Sequence, residues 1–189
     1  GFLGRAVPIC GVLGDSHGAL LGQGCFAPGT AKATYGTGSS VMMQTGDACI
    51  ESTGGLVTSL AWGLSGRVNY VLEGNLNYTG AVISWLKKDV GLLRTDAESE
   101  QLARQAHPGD RTYFVPAFTG LGAPYWDSEA TGLLTGITRT TGKAEIVRAC
   151  LDSIAYQITD LLECMGRDAA LPLAELRVDG GPTANRYLM

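Results

Sequence analysis

Short apolar runs separated by glycine-containing turns occupy the first third of the chain. Their length and their turn boundaries predict five β-strands, over residues 7–13, 31–35, 40–44, 56–60 and 68–72. The first run ends at Gly14-Asp15. The alanine- and leucine-rich residues 16–24 that follow predict a helix capped by Asp15 or Ser16.

The spacing of apolar residues changes after residue 77. Helical spacing predicts helices over residues 78–90, 97–106 and 143–165, the last of them ended by Gly166. Shorter apolar runs predict strands over residues 113–118, 133–137 and 176–178. Strands followed by alternating helices and strands are typical of a mixed α/β sheet with helices packed on it.

Composition narrows the function classes. The 189 residues are 45% hydrophobic, enough to bury a core, and the net charge is −4. No cluster of Lys and Arg provides the basic face that nucleic-acid binding requires, so we expect no nucleic-acid partner. No apolar run is long enough to span a bilayer. Five scattered cysteines without metal-ligand spacing predict reduced thiols in a cytoplasmic protein.

The ends of the chain also carry information. It starts at Gly1 and stops at Met189, shortly after a glycine-rich turn where we expect a helix to begin. We therefore interpret the chain as an internal piece of a longer protein.

A glycine-rich turn, Gly36-Thr37-Gly38, lies between two of the predicted strands. Glycine has no Cβ, so backbone N–H groups there can approach an anion closely. Flanking hydroxyl side chains, from Thr34 to Ser40, favour a phosphate ligand. An ordinary hairpin turn explains the tripeptide equally well by itself. The turn is neither a Walker A loop nor a dinucleotide fingerprint.

Asp15 supplies one carboxylate at the junction of a predicted strand and helix. It is either a helix cap or a general base that accepts the proton of a substrate hydroxyl. A phosphate-binding turn and one nearby base are what phosphoryl transfer to an alcohol requires. A second glycine turn, Asp179-Gly180-Gly181, suits close backbone approach to a ligand, or is a tight β–α turn.

Seven blocks of sequence occur in one order, and together they are far more specific than any one of them. They are Gly14-Asp15 with Gly22-Gln23, Lys32 with Thr34-Tyr35-Gly36-Thr37-Gly38, Leu72-Glu73-Gly74, Gly80-Ala81 with Trp85-Leu86, residues 115–127, Gly136-Ile137-Thr138-Arg139, and Val178-Asp179-Gly180-Gly181. This order closely resembles the FGGY carbohydrate kinases, above all their glycerol-kinase branch, over essentially the whole chain.

The resemblance implies two domains of the ribonuclease-H-like, actin-type ATPase fold, with a cleft between them. Residues 1–23 would be the end of the N-terminal domain. Residues 24–189 would be the C-terminal domain, lacking its own C-terminal end. The full-length enzyme is expected to be a homo-oligomer that uses ATP and Mg²⁺.

The resemblance also implies roles for individual residues. Asp15 would be the catalytic base, and would approach the metal through Mg-ATP. Nucleotide-binding positions would be Gly36, Thr37, Gly38, Gly80, Ser84, Gly180, Gly181 and Asn185. Substrate-binding positions would be Asp15, Ser16 and Ser40.

Departures from the glycerol-kinase pattern concern the acceptor. Ser16 stands where that branch has a glutamine, and Ser40 where it has an aromatic residue that packs on glycerol. A glutamine near the nucleotide is replaced by Ser84. Smaller side chains enlarge the pocket, so we expect a glycerol-like polyol or a four- or five-carbon ketose as substrate. The alternatives are a pentulose kinase of the xylulokinase type and a non-catalytic, actin-like nucleotide-binding module.

Overall fold

A five-stranded sheet with helices on both faces forms the centre of the computed structural model, which describes residues 4–189. The elements in chain order are α1 (Asp15–Gly22), β1 (Thr30–Tyr35), β2 (Ser39–Gly46), β3 (Val57–Leu64), β4 (Arg67–Leu76), α2 (Gly80–Lys88), α3 (Ala97–Gln105), β5 (Tyr113–Val115), β6 (Leu133–Thr135), α4 (Lys143–Ala169), β7 (Glu175–Asp179) and a 3₁₀ turn (Gly181–Ala184).

The strand order of the sheet is β3-β4-β2-β1-β7. The first four strands pair antiparallel, and β7 pairs parallel to β1. The predicted mixed sheet is therefore confirmed. β5 and β6 form a separate two-stranded sheet.

The two faces of β1 bury different side chains because side chains alternate along a strand. Ala31, Ala33 and Tyr35 belong to the main apolar core, which contains side chains of α2 and α4. Lys32 is paired with Met42, which packs with Leu20 of α1 on the other face. The face towards α1 thus mixes a small apolar cluster with polar groups.

The long helix α4 packs along the core face of the sheet. Ile154, Ile158 and Leu161 are buried in the core. Gly74 of β4 lets the helix approach, because a Cβ there would lie 2.6 Å from a Leu161 methyl group. None of the helices in residues 4–189 combines the length and apolar character that crossing a bilayer requires.

Gly166 does not end α4, contrary to the prediction. The helix continues to Ala169 and closes at Ala170, which adopts the left-handed conformation. The Gly166 carbonyl accepts a hydrogen bond from the Leu171 N–H across this closing turn. A left-handed residue after the helix can therefore be an alanine when hydrogen bonds of the last turn stabilise it.

The strand predicted over residues 7–13 is absent. Ile9 and Val12 are 85% and 90% exposed, and no strand within residues 4–189 pairs with this segment. An unpaired strand gains no ladder hydrogen bonds and no packing. Apolar sequence alone was therefore an insufficient signal for a strand here.

The expected cap of α1 is also wrong. Gly14 is the N-cap, and Asp15 is the first helical residue. The Asp15 carboxylate accepts a hydrogen bond from the Ser16 N–H at 2.7 Å. Asp15 is exposed, and its other carboxylate oxygen has no partner among residues 4–189.

Glu145 ties the start of α4 to the loop that follows α3. Its two carboxylate oxygens accept hydrogen bonds from the N–H groups of Gly142, at 2.9 Å, and His107, at 3.0 Å. The bond from the His107 N–H is the main reason why the pKa of the buried Glu145 lies below its ordinary value of 4.5.

We expect Glu145→Gln to lower the free energy of unfolding by about 1–2 kcal/mol, since one of the two N–H groups loses its acceptor. The lowered pKa means that the native carboxylate stabilises the fold above about pH 4.5 and loses this effect as the pH falls through the folded-state pKa. Urea unfolding at pH 7 and at lower pH should show the difference between parent and variant shrinking on acidification. Exposed Glu163→Gln is the matched control and should change little. Equal effects of the two variants would contradict this role.

Candidate functional site

A cleft of about 810 Å³ opens beyond the carboxyl end of β1. Its walls come from the turn after β1, from α2 and α3, and from the 3₁₀ turn after β7. Six of the eight predicted nucleotide-binding residues line it: Gly36, Thr37, Gly80, Ser84, Gly181 and Asn185. The volume is within the range of sites for small organic ligands, about 300–1,000 Å³.

The turn between β1 and β2 is fastened to the first residues of α2 by backbone hydrogen bonds. The Thr37 carbonyl accepts from the N–H groups of Thr79 and Ala81, each at 3.0 Å. The Gly36 carbonyl accepts from the Gly80 N–H, also at 3.0 Å. The first amides of α2 therefore fix the turn and are not themselves free to hold a ligand.

At three of the predicted glycines, a carbonyl group of another segment lies too close to leave room for a Cβ. A Cβ on Gly80 would lie 2.5 Å from the Gly36 carbonyl oxygen. A Cβ on Gly38 would overlap the Leu76 carbonyl. A Cβ on Gly180, whose φ is +99°, would overlap the Tyr35 carbonyl. Gly38 and Gly180 thus support the cleft from behind its lining.

Thr37 presents unpaired donors to the cleft. It is exposed, and neither its N–H nor its hydroxyl has a partner among the described residues. The hydroxyl of Ser84, another lining residue, is likewise without a partner in residues 4–189. Thr37 combines an unpaired backbone N–H with an unpaired hydroxyl, which suits contact with an anion.

The opposite wall of the cleft is held by α3, which the sequence did not indicate. Asn185 donates to the Ser99 hydroxyl at 3.0 Å, and its side-chain oxygen accepts from the N–H groups of Tyr187 and Leu188. Glu100 accepts from the Arg186 N–H at 2.9 Å. No sequence motif predicts that α3 forms a wall of the cleft. Its role is to hold the segment after the 3₁₀ turn through these hydrogen bonds.

Aromatic side chains form a third wall. Trp85 and Phe118 line the cleft with ring centroids 5.1 Å apart, and Trp85 stacks on Phe114 at 5.4 Å with an interplanar angle of 8°. The sequence placed Trp85 in the predicted helix over residues 78–90 and gave it no ligand contact. Its place in the cleft depends on the loop that contains Phe118, which is distant in sequence.

The predicted acceptor residues lie on the α1 side of the sheet. Asp15 and Ser16 begin α1, and neither lines the nucleotide-sized cleft. Ser40 of β2 is half-buried and accepts a hydrogen bond at 3.1 Å from the Lys32 ammonium group. His17, beside Asp15 in sequence, contacts the Ser59 hydroxyl at 3.1 Å.

Lys32 is a fully buried lysine on this face. Burial lowers its pKa, and the negative charges of Asp179, Glu73 and Asp15 oppose that shift. Its hydrogen bonds go to Ser40 and, at 3.2 Å, to the Thr34 hydroxyl. Sequence reasoning included Lys32 in the motif but gave it no role.

No group of three or more His, Cys, Asp or Glu side chains within residues 4–189 is arranged to hold a metal ion. Magnesium in phosphate-transferring sites is commonly held by one or two carboxylates together with substrate phosphates. The exposed Asp15 carboxylate, with one oxygen unpaired, is compatible with that arrangement.

Comparison with known proteins identifies the family. The profile of the FGGY family of carbohydrate kinases, C-terminal domain, matches residues 31–189. The chain is 51% identical over 188 residues to the glycerol kinase of Desulforamulus reducens and 50% identical to that of Carboxydothermus hydrogenoformans. It spans 38% of the length of each of these relatives and is itself covered completely.

Solved structures agree with the sequence comparison. Plasmodium falciparum glycerol kinase with ADP superposes with a TM-score of 0.90 at 36% identity, over 97% of this chain and 37% of that one. Xylulose kinase from Lactobacillus acidophilus gives a TM-score of 0.77 at 23% identity, over 90% of this chain and 34% of that one, and shows the shared fold alone. The fold is the expected ribonuclease-H-like, actin-type ATPase fold. On these grounds the chain belongs to the FGGY family of carbohydrate kinases.

Proposed function

We propose that the protein containing this chain transfers the γ-phosphoryl group of ATP to a hydroxyl of glycerol or of a related small polyol or ketose. Residues 24–189 would supply most of its C-terminal domain, and residues 1–23 the end of its N-terminal domain. The observation that carries the proposal is the cleft in which Thr37, with unpaired donors, faces the segment held by Asn185. Family membership and the relatives named glycerol kinase support it.

In this proposal the cleft binds the nucleotide. Gly36 and Thr37 contact its phosphates. Gly38 supports the turn from behind, and the fixed turn presents the Thr37 donors without reorganisation. Gly80 and Ser84 border the nucleotide from α2. Gly181 and Asn185 border the adenosine part, and Gly180 supports this segment from behind the lining. Gly181 leaves open space because nothing lies within 4 Å of its Cβ position.

Asp15 acts as the general base. It accepts the proton of the attacking hydroxyl as the oxygen–phosphorus bond forms and the bond to ADP breaks. A general base needs a carboxylate oxygen that no structural hydrogen bond occupies. Asp15 meets this condition, because one of its carboxylate oxygens is unpaired among residues 4–189. Magnesium bound with the nucleotide would neutralise charge on the phosphates, and Asp15 is the residue that would approach it.

The acceptor contacts Asp15, Ser16 and Ser40. Glycerol is the substrate in the names of the two bacterial relatives described above. Two short polar side chains, at Ser16 and Ser40, favour a longer acceptor, so a pentulose is the alternative substrate. The polar environment of Ser40, bonded to Lys32, is the observation that favours this alternative.

Location and assembly follow the same proposal. Five free thiols, at Cys10, Cys25, Cys49, Cys150 and Cys164, suit a reducing compartment, and we propose the cytoplasm. We also propose a homo-oligomer for the full-length enzyme.

Asp15→Asn in the full-length enzyme should lower turnover by roughly two orders of magnitude or more, the scale expected for loss of a general base. The Michaelis constant for ATP should stay nearly unchanged, because Asp15 does not line the nucleotide cleft. Steady-state kinetics with a saturating polyol measure both. Exposed Asp47→Asn is the control and should leave turnover intact. Near-normal turnover of Asp15→Asn would remove Asp15 from the chemistry.

Gly80→Ala should reduce kcat/KM for ATP by about tenfold or more, since the added methyl group would push the Gly36 carbonyl and displace the phosphate turn. Nucleotide binding by calorimetry should weaken in parallel. Gly63→Ala is a matched control, because nothing lies within 4 Å of a Cβ at that position. If both variants bind ATP like the parent, the turn is not the phosphate site.

A substrate panel tests the acceptor class. We expect kcat/KM for erythritol, erythrulose or xylulose to exceed that for glycerol, because Ser16 and Ser40 leave a larger and more polar pocket. ATP turnover should depend on the added acceptor. A clear preference for glycerol would defeat the larger-pocket interpretation. Turnover independent of every acceptor would favour the actin-like nucleotide-binding module instead.

A further inference from the structure

Burial of the Lys32 side chain costs folding free energy, and no ion pair among the described residues offsets that cost. Its side chain is fully buried, and within residues 4–189 it takes part in no ion pair. Its partners are two neutral hydroxyls. Burying a charge without a paired counter-charge is unfavourable, and local violations of this kind concentrate at functional sites.

The hydrogen-bond chemistry at Lys32 has a definite direction. An ammonium group only donates, so the hydroxyl oxygens of Ser40 and Thr34 must accept from it. Each hydroxyl proton then has to be donated elsewhere. Neither hydroxyl has another partner among residues 4–189, and both side chains are half-buried rather than fully enclosed.

The surroundings of Lys32 select the charge of a ligand. Asp15, Glu73 and Asp179 come from three different elements, and their charges all act on the ammonium group. Asp179 is itself held by the Gln23 amide at 2.5 Å. Within residues 4–189, Lys32 is the only cation that hydrogen-bonds to Ser40 or Thr34. A neutral, oxygen-rich ligand fits such a site better than a sugar acid does.

We propose that Lys32 is a positioning residue for the acceptor: by donating to Ser40 and Thr34, it leaves both hydroxyls as donors towards an oxygen of a neutral polyol or ketose. The inference rests on the proposed kinase function and extends it. Lys32 touches no reacting atom in this scheme and acts through the two hydroxyls. Its position on β1 also keeps those donors at a fixed distance from the Gly36-Thr37 turn that ends the same strand.

The test uses Lys32→Met and Ser40→Ala, singly and together, in the full-length enzyme. Each single variant should lower kcat/KM for erythritol at least tenfold, mainly through KM, while KM for ATP changes less than twofold. The double variant should lose little more than either single one, because both remove the same donor arrangement. Exposed Lys143→Met is the control and should behave like the parent.

Stability separates positioning from a merely structural role. Methionine replaces a buried charge by an apolar chain of similar length, so Lys32→Met should unfold at the same or a higher urea concentration than the parent. Parallel loss of stability, of acceptor kinetics and of ATP kinetics would make Lys32 structural and overturn the inference. So would unchanged acceptor kinetics in both variants.

The activity of the parent enzyme separates a failure of the Lys32 role from a failure of the proposed kinase function. A parent that phosphorylates erythritol, with variants that behave like it, overturns the role of Lys32 and leaves the kinase function standing. A parent that phosphorylates none of glycerol, erythritol, erythrulose and xylulose overturns both. Turnover of gluconate equal to that of the neutral acceptors would overturn the selection for a neutral ligand.

Discussion

The carbonyl groups of Gly36 and Thr37 are bonded to the first amides of α2, and the candidate nucleotide cleft depends on this interlock. It joins a strand–turn–strand unit to a helix that is far along the chain. The glycines at positions 38, 80 and 180 exist where they do because carbonyl groups approach them too closely for any Cβ. These glycines are therefore needed for backbone packing around the turn, and Thr37 provides the donors for a ligand. A helix start used in this way loses its own capacity to bind an anion but gives the turn a rigid support.

The sequence predicted those parts of the fold whose signal is local. The strands around Gly36-Thr37-Gly38 were confirmed to within a residue or two, because the apolar alternation and the turn residues are contiguous in sequence. Residues 7–13 show the limit, since a strand also needs a partner, and no strand in residues 4–189 pairs with that run. The cap of α1 and the end of α4 were wrong for a related reason. Gly14 and Ala170 take these places through backbone hydrogen bonds that residue type does not determine.

The candidate site divides in the same way. Glycine motifs and the family resemblance led to six residues that line one cleft. The wall provided by Ser99 and Glu100 could not be predicted, because these side chains hold the Asn185 segment across a sequence separation of 86 residues. The burial of Lys32 could not be predicted for another reason. In the strand Thr30–Tyr35 a single lysine looks like an exposed residue of an alternating pattern, whereas both faces of this strand are covered.

Strand β1 connects the expected acceptor site with the expected phosphate site. Its side chains on one face reach the donors expected at the acceptor, and its carboxyl end becomes the turn expected at the phosphates. A strand rises about 3.3 Å per residue, so Lys32 and Gly36 are held roughly 13 Å apart. That separation does not change with side-chain rotamers, and β2 and β7 brace the strand on both sides. Phosphoryl transfer requires the acceptor and the terminal phosphate to be placed accurately relative to each other. A single braced strand that carries contacts for both restricts their relative motion, which gives a physical reason for placing a buried cation on β1 and a phosphate turn directly after it.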